Sequence, residues 1–407
     1  MTHSLKLFIC IALSTIAAFA QNEPSTSGPV AFAYITTGPS EIIETVKDVK
    51  NTVPDPAIEV YSVASNGRLS FLQGVASKYN FTGGAANNKY FFALSLNYGD
   101  TPPFPAVISS YAIQGNGTLK YVASTNMIKS PDWCYYQNEN SDPFNLGVTP
   151  LQVDSAGQTL YIPVTKCVGS GTTKCDEGGA CAQAFESFHI SSNGGLSYLG
   201  VSSFDGYGGP IVTLGNDKYG YVVGGLQAPY FVGYGRESNG LATKNGSTLE
   251  PLRSGVTPSV VANDSTDHLA IAWSNGVIGS YTASANGNLT TTNKSTQMPC
   301  CGDDFMSISP NNEFLAVAGG GLEFFKFNGA EPITYLAGPF YGSGGASING
   351  IAWDNNNHLL AVSAFGDMYV ETVTETGATP APGSPYPNDG AAGYYGGYSI
   401  SVVPVAK

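Results

Sequence analysis

The 407-residue chain carries 30 acidic residues against 17 Lys and Arg, a formal charge of -13, and charged residues make up only 12% of it. An acidic surface with three arginines (Arg68, Arg236 and Arg253) excludes nucleic acid and anionic lipid as natural partners and disfavours phosphorylated substrates, which call for clustered bidentate cations. Fifty Gly, 24 Tyr and 20 Phe suit many short strands and turns better than helices.

At the N-terminus, Lys6 precedes an apolar run from Leu7 to Ala18 that is short for a bilayer span, and Ala18-Phe19-Ala20 fits a signal-peptidase site. This predicts a signal peptide over 1–20, cleaved after Ala20, and an exported mature domain, periplasmic or extracellular, over 21–407. Cys10 follows bulky Phe8 and Ile9 inside the apolar run and is not placed for lipid attachment. Nothing later approaches the roughly 20 apolar residues of a membrane span. The one helical period is Ser40 to Lys50, where Ile42, Ile43, Val46 and Val49 predict a single surface helix.

The rest of the chain repeats a hairpin. Ile58 to Val63 alternates apolar and polar residues, turns at Asn66-Gly67 and continues as Leu69 to Leu72; Asn and Gly are read here as the residues that accept the positive φ of a tight hairpin. The same pattern turns at Asn116-Gly117, Asn193-Gly194, Asn239-Gly240, Asn286-Gly287, Asn328-Gly329 and, more weakly, Thr376-Gly377. Each hairpin follows a second strand pair, as in Leu151–Val153 with Leu160–Val164 and Met306–Ile308 with Phe314–Val317. A unit is therefore four strands, a to d in chain order. The turn glycines recur every 42 to 50 residues apart from one interval of 77, the period of a propeller blade with one large insertion.

Val30 to Ile35 reads as a b strand with no a strand before it, and Tyr398 to Val403 as an a strand with no b strand after it. Pairing them closes the ring and removes the open sheet edges. The expected fold is all-β: one closed seven-bladed β-propeller domain of four-stranded antiparallel blades over 30–75, 76–125, 147–203, 208–250, 255–296, 304–338 and 347–385, the first blade completed by residues 397–404.

Gln158 to Val164, and Ile58 to Val63 with Asn66-Gly67-Arg68-Leu69, resemble the seven-bladed lactonase-like and YVTN-repeat propellers. The resemblance implies this fold and, as an activity, hydrolysis of a lactone in a cleft supplying His, Glu and Arg. Such units often carry a His in strand a; the corresponding stretches here read Thr149-Pro150-Leu151-Gln152-Val153 and Thr257-Pro258-Ser259-Val260.

Strand order sorts the connections by face. The a–b and c–d turns are short, while the long segments 38–57, 98–105, 126–146, 165–184, 297–303, 338–347 and 384–397 are all b–c or d–a connections, so one face is decorated and carries any site. All six mature cysteines fall there: Cys134, Cys167, Cys175, Cys181, Cys300 and Cys301. An even count in an exported chain predicts three disulfides, with free thiols or zinc as the alternatives; no C-x-x-C pair or nearby His supports zinc. His268 and His358 lie at turns of the plain face and His189 in a c strand, positions that suit structure better than base catalysis.

Candidate catalytic groups on the decorated face are therefore carboxylates, Asp303, Asp304 and Asp205, with Arg253 as an oxyanion or carboxylate partner. Asp303 and Asp304 could also hold calcium, without an EF-hand spacing to support it. Trp133, Tyr136, Tyr207, Tyr341 and Tyr395 stand among Gly, Asn and Ser in the same loops, a mixture suited to glycans or polyols, or to packing the loops together. No nucleotide motif, metal motif or serine-hydrolase elbow occurs, so no cofactor is expected. The sequence supports a monomeric exported binding or interaction propeller for a glycan, polyol or protein ligand; the alternative is a carboxylate-dependent lactone hydrolase.

Overall fold

The computed structural model describes residues 28–37, 57–76, 80–96, 106–127, 133–134, 151–168, 180–204, 212–224, 230–245, 256, 258–292, 294–299, 304–341, 347–364, 366–386 and 397–405. Among these there is no helix. The helix expected over 40–50 and the signal segment lie outside them.

The strands assemble into seven antiparallel sheets, one per predicted unit. Blade 2 is the plainest, with a to d at Asn80–Ala86, Tyr90–Leu96, Ala106–Ile113 and Leu119–Asn126. Blade 6 uses Phe305–Ile308, Phe314–Ala318, Leu322–Lys326 and Thr334–Phe340, and blade 7 uses Ile348–Trp353, His358–Ser363, Met368–Thr374 and Gly377–Pro380. In blade 4 the outer strands are short: Val212–Thr213, Tyr219–Gly224, Tyr230–Arg236 and Ala242–Lys244. Blade 5 has Pro258–Asn263, His268–Trp273 and Val277–Ala283, with strand d split between Leu289–Thr290 and Ser295–Gln297.

Blade 1 closes the ring. Its b, c and d strands are Ala31–Thr37, Ile58–Val63 and Leu69–Val75, and its a strand is the C-terminal Gly397–Pro404, in register from Ala31 opposite Pro404 to Thr36 opposite Ser399. The Thr36 and Ser399 hydroxyls meet at 2.8 Å across this seam. The C-terminal strand is thereby hydrogen-bonded into the sheet begun by the N-terminal one, as the unpaired alternation at both ends predicted.

The apolar core is a ring of seven clusters, each built between two successive blades. Phe32, Tyr34 and Ile58 of blade 1 pack on Phe81, Phe91 and Tyr111 of blade 2, for example, and Leu360, Val362 and Val370 of blade 7 pack on Ala31, Ala33 and Val63 of blade 1. Both faces of every blade are thus covered, which explains b strands that are apolar without alternation, such as Phe314 to Ala318.

The Asn-Gly turns work differently from the sequence expectation. Glycine alone takes positive φ, +81° at Gly67 and +85° at Gly117, whereas the Asn contributes its side chain. Asn66, Asn116 and Asn239 each accept, through Oδ1, the backbone N–H two residues on, at 3.2, 3.2 and 2.9 Å. The same turns dock on the preceding blade: Tyr34, Tyr161 and Tyr221 donate their hydroxyls to the carbonyls of Gly117, Gly240 and Gly287.

Four blades share one further device. In blades 1, 2, 3 and 6 the c–d pairing shifts register immediately before an aromatic pair: Tyr61 with Phe71, Tyr111 with Tyr121, Phe188 with Tyr198 and Phe325 with Tyr335. Each pair meets edge to face, with ring centroids 5.5 to 5.9 Å apart.

Blade 3 departs from the expected plan. Its b and c strands, Thr159–Val168 and Ala180–Ile190, are 10 and 11 residues long, with Leu196–Phe204 outside them. The inner edge is shared by two short segments, Gln152–Val153 and Trp133–Cys134, the second within a stretch expected to be loop. Pro163 accounts for the break. Asp154 donates to the Thr159 carbonyl, so odd-numbered residues of strand b face the inner edge, and there Pro163 has no N–H to give.

Candidate functional site

The seven a strands surround a central channel of about 380 Å³, to which every blade contributes lining residues. Because strand a runs inward from the d–a connection, its first residues stand at the decorated face. Asp304 lies immediately before the a strand of blade 6 and Asn349 is the second residue of that of blade 7, whereas Gln152 is followed after Val153 by the a–b turn of blade 3 and so lines the plain-face end of the channel. Asp304 and Asn349 place a carboxylate and an amide at the mouth of the channel on the decorated face. Deeper in, Val153, Val261, Met306, Ile351 and Ile400 make an apolar wall. Among the described residues no Lys, Arg or His lines it.

Asp304 remains open to water, and its backbone N–H donates to the Ala318 carbonyl at 3.0 Å, which ties it to strand b of its own blade. Partial burial against the channel wall holds its carboxyl above the usual aspartate range. A carboxyl poised in this way can accept hydrogen bonds from hydroxyl groups or exchange a proton with a bound molecule. Ser399 is already engaged with Thr36, and Gln152 donates to the Val153 carbonyl at 3.1 Å.

Of the other carboxylate-site residues expected from sequence, Asp303, Asp205 and Arg253 lie outside the described residues. So do Tyr136, Tyr207 and Tyr395, and Trp133 is described only by its backbone, paired opposite Lys166. Tyr341 is described. It follows strand d of blade 6 with φ +63°, unusual for a bulky side chain, and reaches into the gap between blades 6 and 7. Its ring stacks on Tyr369 with centroids 4.0 Å apart, and its hydroxyl donates to Glu371 Oε1. Burial is the main cause that holds both groups above their usual pKa ranges, the Tyr341 hydroxyl and the Glu371 carboxyl alike. Glu371 is fully buried, and its second oxygen, Oε2, has no hydrogen-bond partner among the described residues.

The histidines behave as expected. His358 is buried on the plain face, where its Nδ1 meets Asp354 Oδ2 at 2.7 Å and its ring backs onto Gly67 of the next blade. His268 repeats the arrangement with Asp264 at 2.9 Å and with Gly329. Both join blades rather than face the channel. Of the cysteines, the backbones of Cys134, Cys167 and Cys181 are described, all in blade 3; Cys175, Cys300 and Cys301 lie outside the described residues. Among the described residues no group of His, Cys, Asp and Glu could hold a metal ion, and no helix is long and apolar enough to cross a membrane.

Of the residues at the channel mouth, the sequence reading named Asp304 and not Asn349. The signal available was positional: in blades 6 and 7 the first residues of the a strand reach the channel mouth whatever their type.

No protein-family model matches the chain, and no curated protein matches it. Among solved structures it is similar to the periplasmic gluconolactonase of Pseudomonas aeruginosa, with a TM-score of 0.64 at 12% identity over 93% of this chain and 100% of that one. A Bacteroides fragilis protein provisionally assigned as a 6-phosphogluconolactonase gives 0.61 at 14%, over 94% and 100% of the two chains. A functionally unknown protein from Desulfotomaculum acetoxidans gives 0.57 at 12%, over 91% and 98%. At these identities the likeness establishes the seven-bladed fold of the lactonase-like propellers.

Proposed function

We propose that this chain is an exported binding propeller that takes a neutral, polyhydroxylated small molecule, a polyol or glycan fragment, at the channel mouth on its decorated face. The observation that carries the reading is the chemistry of the channel: about 380 Å³, apolar within, with Asn349 and Asp304 at its decorated-face entrance and no cationic side chain among the described residues that line it. Apolar wall suits the C–H faces of a sugar ring, and amide and carboxylate groups suit its hydroxyls. A phosphate or carboxylate ligand would meet Asp304 with no described cationic lining residue to offset the repulsion. The aromatic residues Trp133, Tyr136, Tyr207 and Tyr395 belong to this proposal as further contacts. Export rests on the N-terminal signal segment, with a periplasmic protein among the similar structures in support.

A second reading has its own observation. The raised Asp304 carboxyl suits a general acid or base, and a gluconolactonase is among the structures of like fold, so hydrolysis of a lactone at the same mouth is the enzymatic version of the proposal. Asp303, Asp205 and Arg253 would be its accessory groups.

Calorimetric titration of the full chain with sugars, polyols and sugar lactones, alongside proton-release assays on the lactones, separates the two. Binding without turnover, weakened by Asn349→Ala, supports the binding reading. Lactone turnover that falls about 10²- to 10⁴-fold in Asp304→Asn supports the hydrolase. Neither binding nor turnover across the panel overturns both.

A further inference from the structure

The long b and c strands of blade 3 carry a register that bears on the cysteines. Thr159 stands opposite His189, and the pairing runs without a shift to Cys167 opposite Cys181 and Val168 opposite Ala180. Ile190 donates to the Gln158 carbonyl at 2.8 Å, which makes 158 and 190 a hydrogen-bonded pair. Hydrogen-bonded and non-hydrogen-bonded pairs alternate in an antiparallel ladder, so odd-numbered residues of strand b occupy non-hydrogen-bonded pairs. Pro163 agrees with this phase, since its missing N–H falls on the side away from strand c. Cys167 and Cys181 therefore form a non-hydrogen-bonded pair, the kind in which opposed Cα atoms come to about 4.5 Å and side chains lie closest. That spacing falls within the range a disulfide bridges, about 4.4 to 6.8 Å.

We propose that Cys167 and Cys181 form a cross-strand disulfide that staples the base of the blade 3 ribbon on the decorated face. The two thiols give up two protons and two electrons to an exchangeable disulfide, such as oxidised glutathione, which leaves as two thiols, while one S–S bond forms between the strands. Cys134, on the far side of strand b opposite Thr165, sits on a different ladder and is not the opposed partner of either residue. Nor does Cys175 belong to the paired strands, being in the connection between them. The staple holds a ribbon several residues longer than its counterparts in other blades, so it fixes one wall of the decorated face without being needed for the ring.

The test uses the full chain, equilibrated in a glutathione redox buffer, alkylated without reduction and digested with trypsin and a Glu-specific protease. Cleavage after Lys166, Lys174, Glu177 and Glu186 separates the three local cysteines onto peptides 167–174, 175–177 and 178–186. The expected product joins 167–174 to 178–186, is abolished by reduction, and is absent from Cys181→Ser. A link from 167–174 to 175–177, or to a peptide carrying Cys134, Cys300 or Cys301, would overturn the assignment. Alkylated Cys167 and Cys181 in the oxidising buffer would overturn it equally. Because the readout is covalent connectivity, it does not depend on the ligand proposed for the channel.

Discussion

A glycine turn in this ring is also an interface. At Gly117 an added Cβ would lie 2.2 Å from the Phe32 ring of the preceding blade, and the backbone is held at φ +85°. Gly117→Ala therefore combines a left-handed backbone penalty of about 1–2 kcal/mol with overpacking against a buried ring of about 1–3 kcal/mol. Chemical denaturation should show a loss of about 2–5 kcal/mol; a loss under about 0.5 kcal/mol would mean that the turn is neither held left-handed nor docked on Phe32. Tyr34→Phe removes the hydroxyl that binds the Gly117 carbonyl and should cost about 1 kcal/mol by the same measurement.

Glu371 supplies a prediction with a pH sign. Burial pushes its carboxyl up, so the folded protein holds that proton more tightly than the unfolded chain. Ionisation then costs the fold, and the cost grows as pH rises from the usual glutamate range through the raised value. Glu371→Gln keeps an acceptor for Tyr341 and cannot ionise. Melting curves from about pH 4 to 8 should shift the stability difference steadily in favour of the variant as pH rises. A difference that stays flat, or moves the other way, would place a compensating cation beside Glu371. None of this was legible in the sequence: Tyr341 and Glu371 are 30 residues apart on different blades, and nothing in a strand pattern tells which polar residue an adjacent blade will cover.

At the scale of strands and turns, the sequence was legible where the information is local. Each Asn-Gly turn marks its hairpin within a dozen residues, so the hairpins stand where the turns predict them. The closing strand was legible by default, since Val30 to Ile35 lacks an inner neighbour and Tyr398 to Val403 lacks an outer one. Deleting residues 397–407 would strip the inner strand from blade 1, expose the edge of Ala31–Thr37 and open one interblade cluster through loss of Ile400. The truncated chain should lose cooperative unfolding or its soluble expression; a melt like that of the full chain would contradict closure. The inner edge of blade 3 was not legible, because its division between Gln152–Val153 and Trp133–Cys134 follows from one missing donor at Pro163 and from pairings two residues long. Such short pairings carry no periodicity.

For the molecule as a whole, the ring fixes where a ligand can meet all seven blades, and that is the channel. Its walls come from the a strands, each paired to strand b of its own blade and flanked by the neighbouring blades, so the groups at its mouth stand on the frame of the ring. Composition alone had argued against anionic ligands, and the absence of cationic side chains among the described residues of the channel lining gives that argument a location. The connections of the decorated face, where most of the expected aromatic contacts fall, could be assigned to a face from strand order but not to positions within it. Turns repeat from blade to blade, whereas these segments share neither length nor pattern.

A crystal structure of the full chain bound to the best ligand of the sugar, polyol and lactone panel tests the central claim most directly. The account predicts density at the channel mouth, within hydrogen-bond reach of Asp304 or Asn349 and against the apolar wall formed by Met306 and Ile351. Ligand density on the plain face, or along the outer d strands with the channel left to solvent, would contradict it.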